Sequence, residues 1–265
     1  MKITLVGILC ISLFSCSEID TKSLRADMFI AHAGGEIDDY PYTNSLEALN
    51  FSYEKGCRLF ELDIMQTSDG KFVAVHTWED FKEMTGYEVE SDETPLSEKE
   101  FLSKRMYGQY TPLNMAMINK WFEGHADAIL VTDKINTPQL FAKQFHFKDR
   151  LIMELFSWEA VDEAIEAGIT PMLNYRLLFL VEDMKKALSD RKIKHIAIAR
   201  SAILDNEELL TEFKEQGIKV YVYGLNWFHD EEFLMERESE YIYGIYVDEF
   251  DFLQELDSFC LTDAK

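Results

Sequence analysis

Residues 59–76, LFELDIMQTSDGKFVAVH, set two carboxylates, Glu61 and Asp63, into an apolar run that ends on His76. A buried strand normally excludes charge, because an unpaired carboxylate taken out of water costs at least several kcal/mol. Residues two apart on a strand share a face, so both acids point the same way. Carboxylate oxygens suit a hard cation, whose charge offsets their burial, and an imidazole beside them suits proton transfer near neutral pH. The turn that joins acids to histidine is Ser68-Asp69-Gly70-Lys71, with Asp-Gly at its centre. That pair favours a two-residue hairpin loop in which both central residues take positive φ. A hairpin centred there places Asp63 opposite His76, at the level of the acids.

Apolar runs of strand length recur along the chain, at residues 28–32, 58–64, 128–133, 150–156, 170–175, 194–200, 219–225 and 243–249. Helical segments with recognisable ends lie between most of them. Asn44 with Glu47 makes a capping-box start before LEALNFSYEK, and Gly56 sits where a left-handed cap belongs. Ser157 opens WEAVDEAIEA and Gly168 closes it, while Gly217 closes DNEELLTEFKEQ. Strand and helix alternating about eight times, with no Pro/Gly/Ser-rich linker, predicts a single TIM (β/α)8 barrel over residues 27–265. A doubly wound sheet is the structural alternative. The run KFVAVH, at 71–76, is then the return arm of the strand 2 hairpin rather than a ninth barrel strand. It delivers His76 to the C-terminal mouth, where barrels build their sites. Residues 77–124 break the alternation and are acidic around EVESDETPLSEKE, with helical pieces near 97–105 and 113–123. They are expected to form a small insertion on the mouth, either a substrate cover or a decorative loop.

The 265 residues carry 49 Asp and Glu against 26 Lys and Arg, a formal net charge of −23. Such a surface repels phosphate backbones over about a Debye length, roughly 8–10 Å, so nucleic acid is not an expected partner. An anionic substrate needs a local cation, for which a metal ion is the simplest source. The N-terminus, MKITLVGILCISLFSCSEID, has one lysine and an apolar stretch from Ile3 to Phe14, shorter than the ~20 residues of a spanning helix. It fits a secretory signal at 1–15. LFSC resembles the bacterial lipobox, which implies a lipid anchor on Cys16, a tether over 16–26, and a membrane-anchored lipoprotein of the cell envelope, periplasmic or surface-exposed. A plain signal with an incidental cysteine is the alternative. Cys57 and Cys260 then remain in the domain, too few for a disulfide framework. The oligomeric state is not encoded in any of these patterns.

The motifs HAGG at 32–35, NSLEAL at 44–49, ELD at 61–63, TSDG at 67–70, VAVH at 73–76 and YGIYVDEF at 243–250 follow one another in an order that resembles the glycerophosphodiester phosphodiesterase family, over the whole mature domain. The resemblance implies a metal-dependent hydrolysis of glycerophosphodiesters or related phosphate-linked headgroups. Glu61 and Asp63 would hold Mg2+ or Ca2+, and His32 and His76 would be the acid and base, in an order the sequence leaves open. In the family an adjacent substrate hydroxyl attacks first, giving a cyclic phosphate that water opens. A third carboxylate is expected where the family has Glu-x-Lys. Here VTDKIN supplies Asp133, with Lys134 a phosphate contact that should face away unless the strand ends or bulges there. Glu154 is the reserve, as ligand or substrate contact.

Two positions depart from the pattern: Ala33 stands where the family commonly has Arg, and Thr43 where it has Glu. Both members of a plausible ion pair are gone together, and Lys134, Arg176 or Arg200 is the expected substitute cation. Tyr175, Asn226, Trp227 and Asp248, at or just beyond strand ends, are candidates to line the alcohol pocket, and Trp78 to wall it. Two other readings follow from the same residues: a catalytically silent lipoprotein that binds a phosphorylated ligand, and a phospholipase-like lyase that stops at the cyclic phosphate.

Overall fold

The computed structural model describes residues 26–87, 95–224 and 240–249. Ten strands occur there: β1 (Phe29–Ala31), β2 (Leu59–Gln66), β3 (Phe72–Ala74), β4 (Leu113–Asn114), β5 (Ile129–Asp133), β6 (Leu151–Leu155), β7 (Thr170–Asn174), β8 (His195–Ala199), β9 (Lys219–Tyr223) and β10 (Gly244–Val247). Eight of them, β1, β2 and β5 to β10, pair in parallel, and β1 hydrogen-bonds to both β2 and β10, which closes a barrel. The helices are α1 (Leu46–Glu54), α2 (Trp78–Thr85), α3 (Glu98–Leu102), α4 (Met115–Gly124), α5 (Pro138–Phe141), α6 (Trp158–Ala167), α7 (Met184–Asp190) and α8 (Glu207–Glu215). Each barrel strand matches one of the eight apolar runs, so the chain is a TIM (β/α)8 barrel.

The alternation of side chains along each strand divides the core in two. Ile30, Leu59, Val131, Ile152, Met172, Ala197, Tyr221 and Tyr246, one from each barrel strand, fill the barrel's interior. Their neighbours, Phe60, Leu130, Met153, Leu173, Ile196 and Val220 among them, face the other way and pack under the helices. Ser157 caps α6 by accepting from Ala160 N–H, and Gly168 ends it in the left-handed conformation at φ 74°. The start of α1 differs from the expected capping box. Ser45, not Asn44, accepts from Ala48 N–H, and Glu47 is held by Thr111 through its N–H and hydroxyl at 2.7 and 2.8 Å. Asn44 is thereby released for another task.

The hairpin forms, but its register corrects the expected one by a residue. Ile64 pairs with Ala74 and Gln66 with Phe72, and Val75 N–H donates to Asp63 O at 2.8 Å, so Val75 rather than His76 lies opposite Asp63. The cause is a three-residue loop, residues 68–70, closed by Thr67 N–H to Lys71 O and Gly70 N–H to Thr67 O, each 2.9 Å. Gly70 alone in that loop takes positive φ, at 73°, while Asp69 accepts from the Thr67 hydroxyl at 2.6 Å. A turn followed by one left-handed glycine is the usual three-residue solution. His76 consequently lies just past the paired strand.

Residues 77–124 divide between two cores. Trp78, Phe81, Tyr87, Leu96, Phe101, Met106 and Tyr110 form a separate apolar cluster on Val73 and Val75, the outward face of the hairpin. From Met115 on, α4 instead packs its Ile118, Trp121 and Phe122 into the main core. Trp78 is therefore a buried residue of the smaller cluster, which corrects the expectation that it walls the substrate pocket.

At the opposite end of the barrel the 3-10 turn Ala26–Met28 crosses the strands, and Asp27 accepts from Lys219 Nζ at 2.8 Å and Tyr243 OH at 2.7 Å. Here Gly244 lets β10 pass close by: a Cβ on it would meet Met28 O at 2.1 Å. Gly244→Ala is expected to destabilise the fold by about 3 kcal/mol, read as a lower denaturant midpoint. Beside the same cluster His195 is pushed down to about 4, first by burial and then by Lys219, against a smaller opposing effect of Asp27. The unfolded state then binds the extra proton between its ordinary value of 6.5 and about 4, so this stability is complete above the upper limit and lost as pH falls through the window. His195→Gln should flatten that acid-side loss, worth on the order of 3 kcal/mol, in unfolding curves recorded across the window.

Candidate active site

One step of two residues above the interior apolar layer, seven of the eight barrel strands turn polar, β8 carrying Ala199 there. Glu61 stands two beyond Leu59, Asp133 two beyond Val131, Glu154 two beyond Ile152, Asn174 two beyond Met172 and Tyr223 two beyond Tyr221. His32 and Asp248 follow Ile30 and Tyr246 in the same way, just past the ends of β1 and β10. The period of two thus lifts one side chain per strand into the mouth. Glu61, Asp133, Glu154, Asn174, Tyr223, Tyr246, His32 and Phe156 line a cavity of about 160 Å³ there. That is small beside the 300 Å³ or more typical of drug-sized pockets, so it suits a compact group.

Glu61, Asp63 and Asp133 each bring a carboxylate oxygen to within 4.8 Å of the others. Asp63 and Asp133 sit side by side in the β2–β5 register. Burial first, and then the charges of Asp63 and Asp133, push the Glu61 carboxyl well above its ordinary value. Asp133 is raised likewise, by burial, Asp63 and Glu154 in turn. Partial relief comes from the backbone and from amides. Ala33 N–H donates to Glu61 Oε2 at 2.8 Å, and Asn44 grips Asp63 twice, its Nδ2 donating to Oδ2 at 2.9 Å while its Oδ1 accepts from Asp63 N–H at 3.0 Å. Glu61 Oε1 and Asp133 Oδ1 remain buried with no hydrogen-bond partner among the described residues. Orphaned hard oxygens converging on one point fit a divalent cation of the Mg2+ or Ca2+ kind.

Arg58 does not serve these acids, since its Nε donates to Asp127 at 2.7 Å. Lys134 does. The strand ends at Asp133, and Lys134 takes a left-handed φ of 60°, which reverses the direction an extended residue would have given its side chain. Its Nζ lies 3.2 Å from Asp63 Oδ1 and donates to His76 O at 2.6 Å. The Asp-Lys order therefore brings both side chains to the mouth.

The two histidines are oriented alike from different parts of the chain. His32 Nδ1 is 2.9 Å from Asp248 Oδ1, and His76 Nδ1 is 2.6 Å from Asp80 Oδ2. An acid on Nδ1 fixes the proton there and leaves Nε2 as the working nitrogen. The Tyr42 ring stands between them, 4.7 Å from His32 and 4.9 Å from His76 by ring centroid. Its phenol is pushed up to about 12, by burial first and then by Asp248, Asp63, Glu61 and Asp80.

The remaining expected site residues scatter. Glu154 reaches the cavity and is pushed up to about 7 by burial, although Asn174 Nδ2 donates to its Oε1 at 2.9 Å. Tyr175 opens the 3-10 turn Tyr175–Leu180 and packs edge-on to Phe179, away from the cavity. Asn226, Trp227 and Cys16 lie outside the described residues. The sequence reading passed over Asn44, Asp80, Tyr42, Asn174 and Tyr246. For Asp80 a signal existed: Thr77-x-x-Asp80 is a helix-start pattern, and Asp80 accepts from both the Thr77 hydroxyl and His76. For Asn44 the same kind of signal misled, because an asparagine before a helix reads as a cap.

No family model matches the chain, and no curated protein is similar to it by sequence. Solved structures do match in fold. A glycerophosphodiester phosphodiesterase from Thermotoga maritima superposes with a TM-score of 0.66 at 23% identity, covering 86% of this chain and 97% of that one. One from Parabacteroides distasonis gives 0.63 at 15%, covering 90% and 98%. A phosphodiesterase from Oleispira antarctica, in complex with the product sn-glycerol-3-phosphate, gives 0.64 at 17%, covering 87% and 95%. The chain has the barrel fold of these proteins over nearly their whole length.

Acids whose values are raised on folding weaken the fold once the pH passes their unfolded values. In chelator at pH 8, Glu61→Gln should therefore raise the melting temperature by roughly 3–5 °C. Millimolar Mg2+ or Ca2+ is expected to raise the melting temperature of the unsubstituted protein, and Glu61→Gln to abolish that rise.

Proposed function

We propose that the chain is a metal-dependent phosphodiesterase acting on glycerophosphodiesters or related phosphate-linked headgroups. One observation carries this reading: two histidines, each oriented by its own carboxylate, flank two buried acids and a half-buried third whose oxygens come within 4.8 Å of one another. The likeness in fold to proteins named as phosphodiesterases supports it, as does the small-phosphate product in one of them.

Glu61, Asp63 and Asp133 are the residues that would hold the metal. A divalent cation there would neutralise phosphate charge and stabilise the extra negative charge of the transition state. Displacement at phosphorus then needs one group to take a proton from the attacking hydroxyl and another to give one to the leaving alkoxide. His32 and His76 supply the two Nε2 atoms for this, and Asp248 and Asp80 stabilise whichever imidazole becomes charged. Lys134, from its place between Asp63 and His76, offers a positive charge to the phosphate. Glu154, raised towards neutrality, can meet a hydroxyl of the alcohol portion at the base of the cavity. We also carry the envelope reading forward on sequence alone, with Cys16 as lipid anchor. Among the described residues no helix is long and apolar enough to cross a membrane.

With Mg2+ or Ca2+ supplied, the protein is expected to hydrolyse members of a glycerophosphodiester panel, and His76→Ala to lower kcat by at least about 100-fold with an unchanged melting curve. Tight binding of the diesters without turnover would instead identify a silent binding protein. Phosphorus NMR showing a cyclic phosphate as the final product would identify a lyase.

A further inference from the structure

The Tyr42 ring touches both histidines of the mouth. It lies in the β1–α1 loop, half-buried, with a left-handed φ of 58°, in a stretch where Ala33, Asp38, Asp39 and Asn44 are also left-handed. An L-residue pays about 1–2 kcal/mol for that backbone, and such strain gathers where a side chain must be aimed. The ring meets His32 edge-on, at 74° between planes, and His76 at 57°. The ring thus stands beside both imidazoles, next to any group that both of them would reach.

The hydroxyl at the end of the ring has no hydrogen-bond partner among the described residues. Four other phenols donate within the protein: Tyr53 OH and Tyr110 OH to Asp127 and Asp38, Tyr221 OH to Asp27 O, and Tyr243 OH to the Asp27 carboxylate. The carboxylates that act on the Tyr42 phenol are Asp248, Asp63, Glu61 and Asp80. These are the acids that orient the two imidazoles and two of the three in the converging cluster, and after burial their charges raise the phenol. Burial and those charges keep it protonated, hence a donor. Ala33, on the same loop, offers no side-chain donor at all, and its N–H is spent on Glu61.

We infer that the Tyr42 hydroxyl donates a hydrogen bond to the phosphoryl group of the bound ester, as the neutral donor that complements Lys134. This rests on the phosphodiesterase reading for the identity of the ligand. It separates two contributions of one residue: the ring spaces the imidazoles, and the hydroxyl binds.

Tyr42→Phe keeps the ring and deletes only an oxygen without a protein partner, so folding is retained; Tyr42→Ala removes both. In Mg2+-supplemented protein, Tyr42→Phe is expected to weaken binding of inorganic phosphate, followed by calorimetry, roughly 10- to 100-fold, the loss of one hydrogen bond to a charged group. kcat/KM for a glycerophosphodiester should fall by a similar factor. The pH profile of kcat should stay in place for Tyr42→Phe, because both imidazoles remain seated, and shift for Tyr42→Ala. Phosphate binding unchanged in Tyr42→Phe, or no phosphate binding by the unsubstituted protein, overturns the inference. If the unsubstituted protein binds phosphate, Tyr42→Phe weakens it, and no diester is turned over, then the phosphodiesterase reading fails while the Tyr42 contact stands.

Discussion

The crowding of three carboxylates, two buried and one half-buried, within 4.8 Å of one another is the constraint on which the mouth of this barrel is built. Like charges brought out of water at that separation oppose folding, and each neighbouring device reduces the opposition. Asn44 occupies Asp63 with both ends of its amide, Ala33 gives its N–H to Glu61, and Lys134 turns its ammonium back to Asp63. All three residues hold left-handed backbone conformations. Strained backbone has been accepted at these points because a relaxed one would aim the donors elsewhere. What the protein groups leave unpaired, Glu61 Oε1 and Asp133 Oδ1, is the part that a cation would satisfy.

The barrel supplies these acids at a fixed height. An interior layer with one apolar side chain from each of the eight strands seals the barrel below, and the next inward residue on each strand emerges above it. Below it, at the opposite end of the barrel, the same alternation places His195 and Lys219 beside Asp27. The acids of the site share one storey above the layer because each stands two residues beyond it. Asp63, on the strand that continues into the hairpin, is the exception that reaches higher.

The histidines show how separate regions are drawn into one site. His32 directly follows the first strand and depends on Asp248, just past the last, so its orientation needs barrel closure between β1 and β10. His76 depends on Asp80 in the first turn of α2, four residues away, and needs only that the local helix start be formed. Lys134, bonded to the His76 carbonyl, ties this second unit to the barrel wall. The smaller apolar cluster of residues 77–110 packs on the outer face of the hairpin, which steadies the same arm.

Local pattern determined the eight strands, the caps at Ser157, Gly168 and Gly217, and the shared face of Glu61 and Asp63, because period-two alternation and end-capping are properties of neighbouring residues. Asp133 as the third acid came from the family resemblance rather than from local pattern, and the β2–β5 register sets it beside Asp63. The tertiary structure alone decided the rest. Asp-Gly permits both a two- and a three-residue loop, and the side-chain and backbone bonds of Thr67 selected the longer one. Asn44 had the local chemistry of a cap, yet the carboxylate brought beside it from β2 outcompeted that role while Ser45 took it over. Trp78 looked exposed after a histidine, and the packing of α2 and α3 buried it. Lys134 read as facing away until the strand ended one residue before it. For Asn44 and Trp78 a partner distant in sequence decided which of several locally allowed conformations lay lowest, and one-dimensional spacing carries no information about that partner.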